Sequence, residues 1–517
     1  MTTDPHVDAL REEPPSPLEP STRRGLLRAG LAGTVAAGLL GQGRARAQGS
    51  GPSMGGSIPE QVDPLLALIH HATQGFSQAS YQEAQAMGYA GWLQQQLNPG
   101  SIDDSAMDAM LAQFPTLNMT AADLLANYPM QMQGIVVNEL RRAAILRSLF
   151  SKRQLYERMV EFWTDHFNID QQDGPVRYLK TVDDREVIRA HALGKFPELL
   201  SASAHSGAML HYLDNHTNVK DGPQENYARE LMELHTLGSN GGFTEMDVKE
   251  VARALTGWTH YPVPSPQFGT FLFLGPAHDN GPKQVLGQTI PPFGGEADGD
   301  QVLQILAAHP STADYVARKI ARWLLTYDPP ERVVLRTKQR YVATGGDIRA
   351  MVAEVLSPQS LAEAAPWANP KLRRPFHFAV GVMRATGAQV GNAGFLPEEL
   401  RRLGQAPFDW PAPNGYPDAL GAWGSSVLPR WNFASRLLDN QIPGVQISTP
   451  ALLSQMGNPV QGQVAQAADV LLTGGGGISP YDRGVVQSFV NTFPFASPKV
   501  IREAVALAAS SPSYQYY

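Results

Sequence analysis

The chain has 517 residues, of which 43% are hydrophobic and 17% are charged, a composition typical of a folded protein that excludes a disordered chain. It contains no Cys, which excludes disulfides, thiolate metal sites, iron–sulfur clusters, covalently attached c-type haem and a cysteine nucleophile. The formal net charge of −7 argues against a general nucleic-acid-binding protein, so nucleic acid is not an expected partner.

The first 47 residues have the pattern of an export signal. The pair Arg23-Arg24 stands shortly before the uncharged run 29–40, and a small-x-small cleavage site follows at 45–47. The uncharged run is too short to span a bilayer. We therefore expect a twin-arginine signal peptide over 1–47, with the twin-arginine export machinery as a partner. The mature protein is expected in the periplasm or outside the cell, without a membrane span. A membrane anchor or a basic tail is the alternative.

The mature chain is predicted to be one large, mainly α-helical domain with a small β-hairpin arm. Residues 48–62 are rich in Gly and Ser and predict a flexible leader. Asp63-Pro64 marks the start of the first helix, so the helical domain is placed at 63–517. The clearest strand signal, 268–274, is followed by Gly-Pro turns and then by 284–286, a pattern that predicts the hairpin.

Hydrophobic periodicity predicts a long series of helices in this domain. Thr244 with Asp247, and Ser311 with Asp314, have the spacing of a helix-capping box. The predicted helical runs are 79–97, 103–113, 120–126, 131–150, 152–168, 184–204, 224–237, 244–256, 298–308, 311–326, 330–343, 346–356, 371–386, 427–439, 460–473 and 498–510.

The first polar segment lies in the predicted run 152–168. Glu161 and Asp165 are four residues apart and share one face of the helix, while His166 lies beside Phe162. The surrounding aromatic and β-branched residues predict that this helix is well buried. Buried carboxylates need partners, for which arginine is the best suited residue. His166 is retained as a candidate catalytic residue.

The second polar segment is the predicted helix 224–237. Glu225, Asn226, Arg229, Glu230 and Glu233 fall within one arc of the helical wheel. One interpretation is a solvated face with an internal Glu–Arg–Glu ladder. The other is an acid–base site in which Glu230 or Glu233 is the acid or base and Arg229 shifts the pKa of a neighbour.

The stretch before this helix is crowded with polar residues. Asp214, Asn215 and Asn218, together with Asn226, are candidate binding residues. Four of the thirteen histidines also lie between 205 and 235; they are His205, His211, His216 and His235. This density is compatible with a metal or an acid–base site, but no spacing is diagnostic, so metal and cofactor stay unassigned. His235 is on the apolar side, where a core position is the simpler interpretation.

The third polar segment, around His278 and Asp279, precedes a Gly-Pro turn. Its side chains either cap that turn or face a pocket, and both residues are kept as candidate binding residues. The Pro/Gly-rich stretches 262–298 and 404–426 are predicted to be long ordered loops. The chain contains no Gly-x-Ser-x-Gly, no His-Glu-x-x-His and no Gly-x-Gly-x-x-Gly after a strand, which argues against the corresponding hydrolases, metalloproteases and nucleotide-binding folds.

Several long motifs occur in an order that resembles the bacterial exported family known as domain of unknown function 1800. Two departures stand out, because Asp165 replaces the Asn usual in the aromatic-Trp-x-Asn-His pattern and Gln224 begins the Asn-Glu-Asn-Tyr pattern. The resemblance implies an exported, largely helical protein without an established reaction, and a second exported, sulfatase-like family as a neighbour. The matching segments are 158–169, 209–218, 225–259, 278–287, 309–325, 408–423 and 510–515.

Three classes of function remain open at this point. The protein is an exported hydrolase that acts by paired carboxylates on an envelope or environmental polymer. Alternatively, it is a non-catalytic envelope or assembly protein whose polar motifs are internal braces. The third class is a metal-dependent protein that uses His and Asp side chains. Convergence of the three polar segments on one pocket would favour an enzyme, whereas their dispersal over the surface would favour a scaffold.

Overall fold

Helices dominate the computed structural model, which describes residues 63–172 and 174–517. The expected signal peptide over 1–47 and the leader over 48–62 lie outside these residues. The α-helices are Pro64–Ala72, Gln78–Leu97, Ser105–Leu111, Ala121–Asn127, Gln133–Phe150, Gln154–His166, Val176–Asp183, Phe196–Ala204, Gly207–Tyr212, Asn226–Glu230, Glu245–Ala254, Glu296–Ala308, Pro310–Leu324, Glu331–Thr344, Ile348–Val355, Pro358–Ala364, Pro375–Ala385, Leu396–Leu403, Leu420–Trp423, Val427–Leu438, Thr449–Gln455, Val464–Thr473, Pro480–Val490 and Pro498–Ala509.

The helix ends show which local signals were reliable. Asp63 caps the first helix by accepting a hydrogen bond from the Leu65 amide at 2.8 Å. The capping box of Thr244 and Asp247 is present in full. Ser311, in contrast, lies inside the helix Pro310–Leu324, because the preceding His309 caps that helix by accepting from the Ser311 amide at 3.2 Å.

The strands are short and pair differently from the predicted hairpin. Phe271–Phe273 does form a strand, but its antiparallel partner is Trp258–His260. Lys283–Val285 also forms a strand, and it pairs with the adjacent Gln288–Ile290. The segments 268–274 and 284–286 were therefore correctly expected to contain strands, yet each belongs to its own two-stranded sheet. A third small sheet pairs Gln389–Val390 with Val445–Gln446.

Two helical stretches contain π-helical turns, in which the backbone bonds reach one residue further than in an α-helix. Asp184–Arg189 continues the helix Val176–Asp183, and Leu231–Thr236 continues the helix Asn226–Glu230. Both π-helical turns contact the helix Gln154–His166, the first through Arg189 and the second through His235. Such turns are common at functional sites, and these two lie on either side of the first polar segment.

The core is built by apolar helix faces that pack both between consecutive helices and between helices far apart in the sequence. Pro310–Leu324 packs on Glu331–Thr344, and Val427–Leu438 packs on Pro498–Ala509. Trp163 on the helix Gln154–His166 is fully buried, and its indole donates to the Ala192 carbonyl at 3.0 Å. Among the described residues, no helix is both long enough and apolar enough to cross a membrane.

Candidate active site

The helix Gln154–His166 presents a stripe of side chains to a pocket. Five of its residues, spaced three or four apart or adjacent, line this pocket: Glu157, Val160, Glu161, Thr164 and Asp165. The pocket encloses about 60 Å³. A single water needs roughly 10–15 Å³ by the same measure, so the pocket has room for several waters or for a small part of a larger ligand.

Glu161 and Asp165 share one arginine, as their common helix face and their burial predicted. Arg374 Nη1 lies 2.6 Å from Asp165 Oδ2 and 3.9 Å from Glu161 Oε1. The Arg374 side chain is 5% exposed, whereas the Glu161 and Asp165 side chains keep 17% and 15% exposure. The arginine is thus enclosed, while both carboxylates stay open to the pocket.

Glu161 is held in its ionised form. His377 Nε2 is 2.9 Å from both Glu161 carboxylate oxygens, and Gln74 Nε2 donates to Oε2 at 3.0 Å. Because a carboxylate only accepts, His377 Nε2 carries the hydrogen and Nδ1 is the acceptor of the ring; Arg158 Nη1 lies 3.0 Å from Nδ1 and 2.7 Å from Nε2. Burial on its own would raise the pKa of Glu161, but His377, Arg158 and Arg374 together lower it to about 2.

The environment of Asp165 instead favours the protonated form of its carboxyl group. Burial raises the pKa of Asp165 to about 6, the negative charge of Glu161 adds to this rise, and Arg374 opposes it. Two carboxyl groups one helical turn apart therefore differ in charge at mildly acidic pH. Such a separation of pKa values is the usual sign of an acid and a base with different tasks.

A loop from the C-terminal half of the chain also lines the pocket. Gln405, Ala406, Pro407, Phe408 and Tyr416 line it. The loop is anchored to the first polar segment and its arginine by several bonds, including Asn168 Nδ2 to the Trp410 and Ala412 carbonyls, Gln171 Nε2 to the Phe408 carbonyl and Arg374 Nη2 to the Tyr416 carbonyl. The predicted loop 404–426 is therefore ordered and contributes directly to the site.

A second ion-pair group also lines the pocket. Arg189, in the first π-helical turn, donates to Glu157 at 3.0 Å and to Asp184 at 2.8 Å. Asp184 Oδ1 is buried and has no hydrogen-bond partner among the described residues. Glu157, Asp184 and Arg189 all line the pocket, and Arg147 Nη1 lies 3.8 Å from Asp184 Oδ2, so two arginines balance the two carboxylates of this group.

His166 ends the same helix and contacts the second polar segment. Its Nε2 is 3.0 Å from the His235 carbonyl, which only accepts, so Nε2 carries the hydrogen. Its Nδ1 therefore accepts, and Lys319 Nζ lies 2.8 Å away. Burial, with Lys319 next in importance, lowers the pKa of His166 well below its ordinary range, so this imidazole is neutral.

The other candidate catalytic residues lie away from this pocket. Arg229 forms a surface ion pair with Glu245 at 2.7 Å and a weaker one with Glu225 at 3.4 Å. Glu230 and Glu233 are half-buried, and neither lines the pocket. Burial, together with the charge of Glu233, raises the pKa of Glu230. Their catalytic roles stay predictions.

The asparagines of the second segment brace the backbone. Asn215 Nδ2 donates to the Trp258 carbonyl at 2.9 Å and to the Leu255 carbonyl at 3.3 Å. Asn218 Nδ2 donates to the Ala252 carbonyl at 2.9 Å. Asn226 and Asp214 contact each other at 3.4 Å on the exposed side, where Asp214 adopts a left-handed backbone conformation with φ of 63°.

The third polar segment forms a separate buried cluster. His278 Nε2 and Lys283 Nζ lie 3.1 and 2.5 Å from Asp298 Oδ2, and all three side chains are buried. Asp279 instead pairs with Arg253 at 2.7 Å. The three polar segments therefore do not converge on one pocket: the first lines it, the second touches the end of the first, and the third is elsewhere.

The crowded histidines separate in space. His205 packs against Trp258, while His211 and His216 stack with ring centroids 4.3 Å apart and meet His260 from a neighbouring strand. Over residues 63–172 and 174–517, no group of three or more His, Asp or Glu side chains is arranged to hold a metal ion. The metal-dependent alternative therefore gains no support from this geometry.

Sequence reasoning missed His377 and Lys319, and it indicated Arg374 only as part of a candidate pocket rim for which structural packing was an equal alternative. Arg374 and His377 begin a helix about 210 residues downstream of Glu161, and Lys319 lies on a third helix. The Arg373-Arg374-Pro375-Phe376 string was a visible signal, because it places two cations directly before an apolar helix. Nothing in the local sequence indicates which carboxylates they meet.

Comparison with curated proteins and with solved structures gives no match. Residues 67–516 match the family described as "Protein of unknown function (DUF1800)". The match covers nearly the whole of the part that the structure describes, including every residue of the pocket. The chain therefore belongs to the DUF1800 family.

Proposed function

We propose that the protein is an exported hydrolase in which Glu161 and Asp165 are the paired carboxylates. One observation carries the proposal: two carboxyl groups one helical turn apart line the same pocket, with pKa values of about 2 and about 6. The ionised Glu161 is suited to accept a proton from water, and the protonated Asp165 is suited to donate one to a leaving group. Arg374 is placed to stabilise the carboxylate that Asp165 becomes.

The size of the pocket restricts what enters it. A volume of about 60 Å³ has room for the bond to be cleaved and its immediate substituents. It does not have room for a polymer chain that passes through the pocket. An envelope or environmental polymer would therefore have to present an end or a side group. Phe376, Phe408 and Tyr416 supply apolar and aromatic wall next to the carboxylates.

A panel of chromogenic esters, phosphate esters and glycosides tests the proposal. Glu161→Gln and Asp165→Asn should each lower kcat by about 10²–10⁴-fold, the usual contribution of a general acid or base. Glu398→Gln is the matched control, because Glu398 forms an exposed pair with Arg401 away from the pocket and should leave turnover unchanged. Full activity in a folded Glu161→Gln or Asp165→Asn variant would contradict the assignment.

The place of action rests on the sequence pattern. The Arg23-Arg24 pair, the uncharged run and the small-x-small site support export by the twin-arginine machinery to the periplasm or the exterior. A neighbouring exported sulfatase-like protein stays an expectation from the family resemblance.

The second candidate function is a non-catalytic envelope or assembly protein whose polar residues are internal braces. One observation favours it. The carboxylates in and next to the site already have partners: Arg374 pairs with Asp165, Lys371 pairs with Asp418 at 2.7 Å, and Glu161 has the neutral His377 imidazole and Arg374. In that case the same substitutions would lower stability, and the folded protein would turn over no substrate class in the panel.

A further inference from the structure

Lys319 differs from the other buried and half-buried lysines in its hydrogen-bond partner. In the described part of the chain, five lysines are buried or half-buried. Four of them have a carboxylate partner: Lys180 has Asp183, Lys283 has Asp298, Lys338 has Asp314 and Lys371 has Asp418. Lys319 has no carboxylate within 4.0 Å among those residues, and its hydrogen-bond partner is the His166 imidazole.

The His166 ring holds this amine in one orientation. Because His166 Nε2 donates to the His235 carbonyl, the lone pair of Nδ1 is fixed toward Lys319 Nζ at 2.8 Å. One N–H of the amine is therefore engaged, and its other positions stay free of a carboxylate. The neutral ring supplies no charge that would keep the amine protonated.

A second buried side chain near Lys319, that of His235, lacks a hydrogen-bond partner among the described residues. The His235 side chain is fully buried, and neither of its ring nitrogens has a hydrogen-bond partner in the described part of the chain. Its ring centroid is 6.1 Å from that of His166. Buried polar atoms are nearly always hydrogen-bonded, so an orphaned imidazole beside a lysine calls for a bound group that accepts or donates. A neutral imidazole always carries one N–H, and a carbonyl oxygen would accept it.

We propose that Lys319, His166 and His235 form a covalent site for a carbonyl compound, an aldehyde or ketone that Lys319 Nζ captures as an imine. This goes beyond the proposed hydrolysis, because it uses different side chains and a different substrate class. The Tyr315 ring, 5.2 Å from Nζ, supplies one wall of this site.

The step balances without any oxidant or reductant. The lone pair of the neutral amine attacks the carbonyl carbon, forming the C–N bond while the C=O electron pair moves to oxygen. The oxygen takes up the proton lost by nitrogen, and the His235 N–H hydrogen-bonds to it. A second proton then converts the hydroxyl to water, which leaves as the C=N bond forms. The nitrogen gives back that proton by losing its remaining hydrogen, so both hydrogens of the amine leave in the one water released for each neutral imine.

The charges around Lys319 agree with a reactive amine. Burial lowers the pKa of Lys319 to about 8; Asp165 and Asp418 oppose this change, and Arg374 adds to it. The groups that face it from the packed elements also include His166 and His235, both neutral. Compared with a lysine of ordinary pKa near 10.4, an amine of pKa near 8 has about two-hundredfold more neutral form at pH 7.

Reductive trapping tests the proposal on the folded mature protein. The probe is acetaldehyde with cyanoborohydride, which reduces an imine to a stable ethylamine, and peptide mass spectrometry then gives the initial rate at each lysine. Near pH 7, Lys319 should react at least about tenfold faster than the exposed Lys195 and Lys249. Lys338, half-buried but paired with Asp314, is the matched control and should react slowly.

The pH profile and one variant complete the experiment. The rate at Lys319 should reach its plateau at lower pH than the rates at exposed lysines. His166→Phe removes the acceptor and should lower the Lys319 rate without changing Lys338, whereas His166→Asn, which still accepts, should restore part of it. A Lys319 rate no higher than that of Lys195, with an ordinary pH profile, would overturn the proposal even if no variant folds. Hydrolysis assays on Glu161→Gln are independent of this readout, so failure of one proposal is distinguishable from failure of the other.

Discussion

Gly415 lies directly against the backbone carbonyl of Asp165. A Cβ on Gly415 would be 2.1 Å from that oxygen, and its φ of 67° lies in the left-handed region that favours glycine. The loop that walls the pocket can therefore approach the carboxylate helix only with glycine at this position. The relationship joins two parts of the chain about 250 residues apart.

Gly415→Ala should therefore destabilise the protein. The left-handed conformation costs about 1–2 kcal/mol for a residue with a Cβ, and the steric overlap adds about 1–3 kcal/mol. Gly421→Ala is the control, because a Cβ there meets nothing within 4 Å and its φ is not positive. Denaturant unfolding measures both, and equal stability of the two variants would contradict the close approach.

Arg374→Met should be among the most damaging single substitutions in the pocket. It leaves Asp165, with Glu161 and Asp418 nearby, without their shared buried cation, and breaking a buried pair costs about 3–5 kcal/mol. Arg229→Met is the comparison, since the Arg229 side chain is 35% exposed and surface pairs contribute about 0–1 kcal/mol. A loss at Arg229 as large as that at Arg374 would mean that the helix face of Glu225 and Glu233 is the more important brace.

The raised pKa of Asp165 predicts a specific dependence of stability on pH. A carboxyl whose pKa rises from about 3.9 in the unfolded chain to about 6 in the folded protein binds more protons when folded over that interval. Its contribution is therefore fully present below pH 4 and is lost as the pH rises through 6.

Asp165→Asn removes this dependence. Between pH 4 and pH 7, the unfolding free energy of the wild type should fall by about 2–3 kcal/mol relative to the variant. Glu161 has the opposite effect on stability, and it acts in a lower pH range. Its lowered pKa stabilises the fold above about pH 4, and that stability is lost as the pH falls toward 2. A constant difference between wild type and Asp165→Asn across pH 4–7 would show that Asp165 is ionised throughout.

The export signal is tested separately from the fold. Replacing Arg23 and Arg24 together by Lys should leave the precursor in the cytoplasm, because the twin-arginine pair is the recognised feature. Fractionation and immunoblotting measure the distribution, and N-terminal sequencing of the exported protein should begin at or near Gln48. Normal export of the double variant would remove the twin-arginine prediction.

Local patterns predicted many of the helices, although they missed others such as Leu396–Leu403 and Pro480–Val490, and they did not predict the sheet partners. The observed helix Gln154–His166 lies within the predicted run 152–168, because apolar periodicity and helix caps are properties of neighbouring residues. The strand Phe271–Phe273 was also expected, but its pairing with Trp258–His260 was not. Strand pairing depends on which edges meet in space, and alternation along one strand carries no information about its partner.

The sequence by itself determined that Glu161 and Asp165 share a helix face, and it predicted that this face is buried and that arginine is its best suited partner, because helical geometry and desolvation act within one segment. Only the tertiary structure decided that the arginine is Arg374, that the carboxylates acquire pKa values so far apart, and that Lys319 meets His166 instead of a carboxylate. These outcomes depend on the packing of helices and loops that are separated by 150 to 250 residues along the chain. The electrostatic environment of a side chain is set by its burial and by all the charges and hydrogen-bonding groups that the packing places near it. It therefore exists only once the chain has folded.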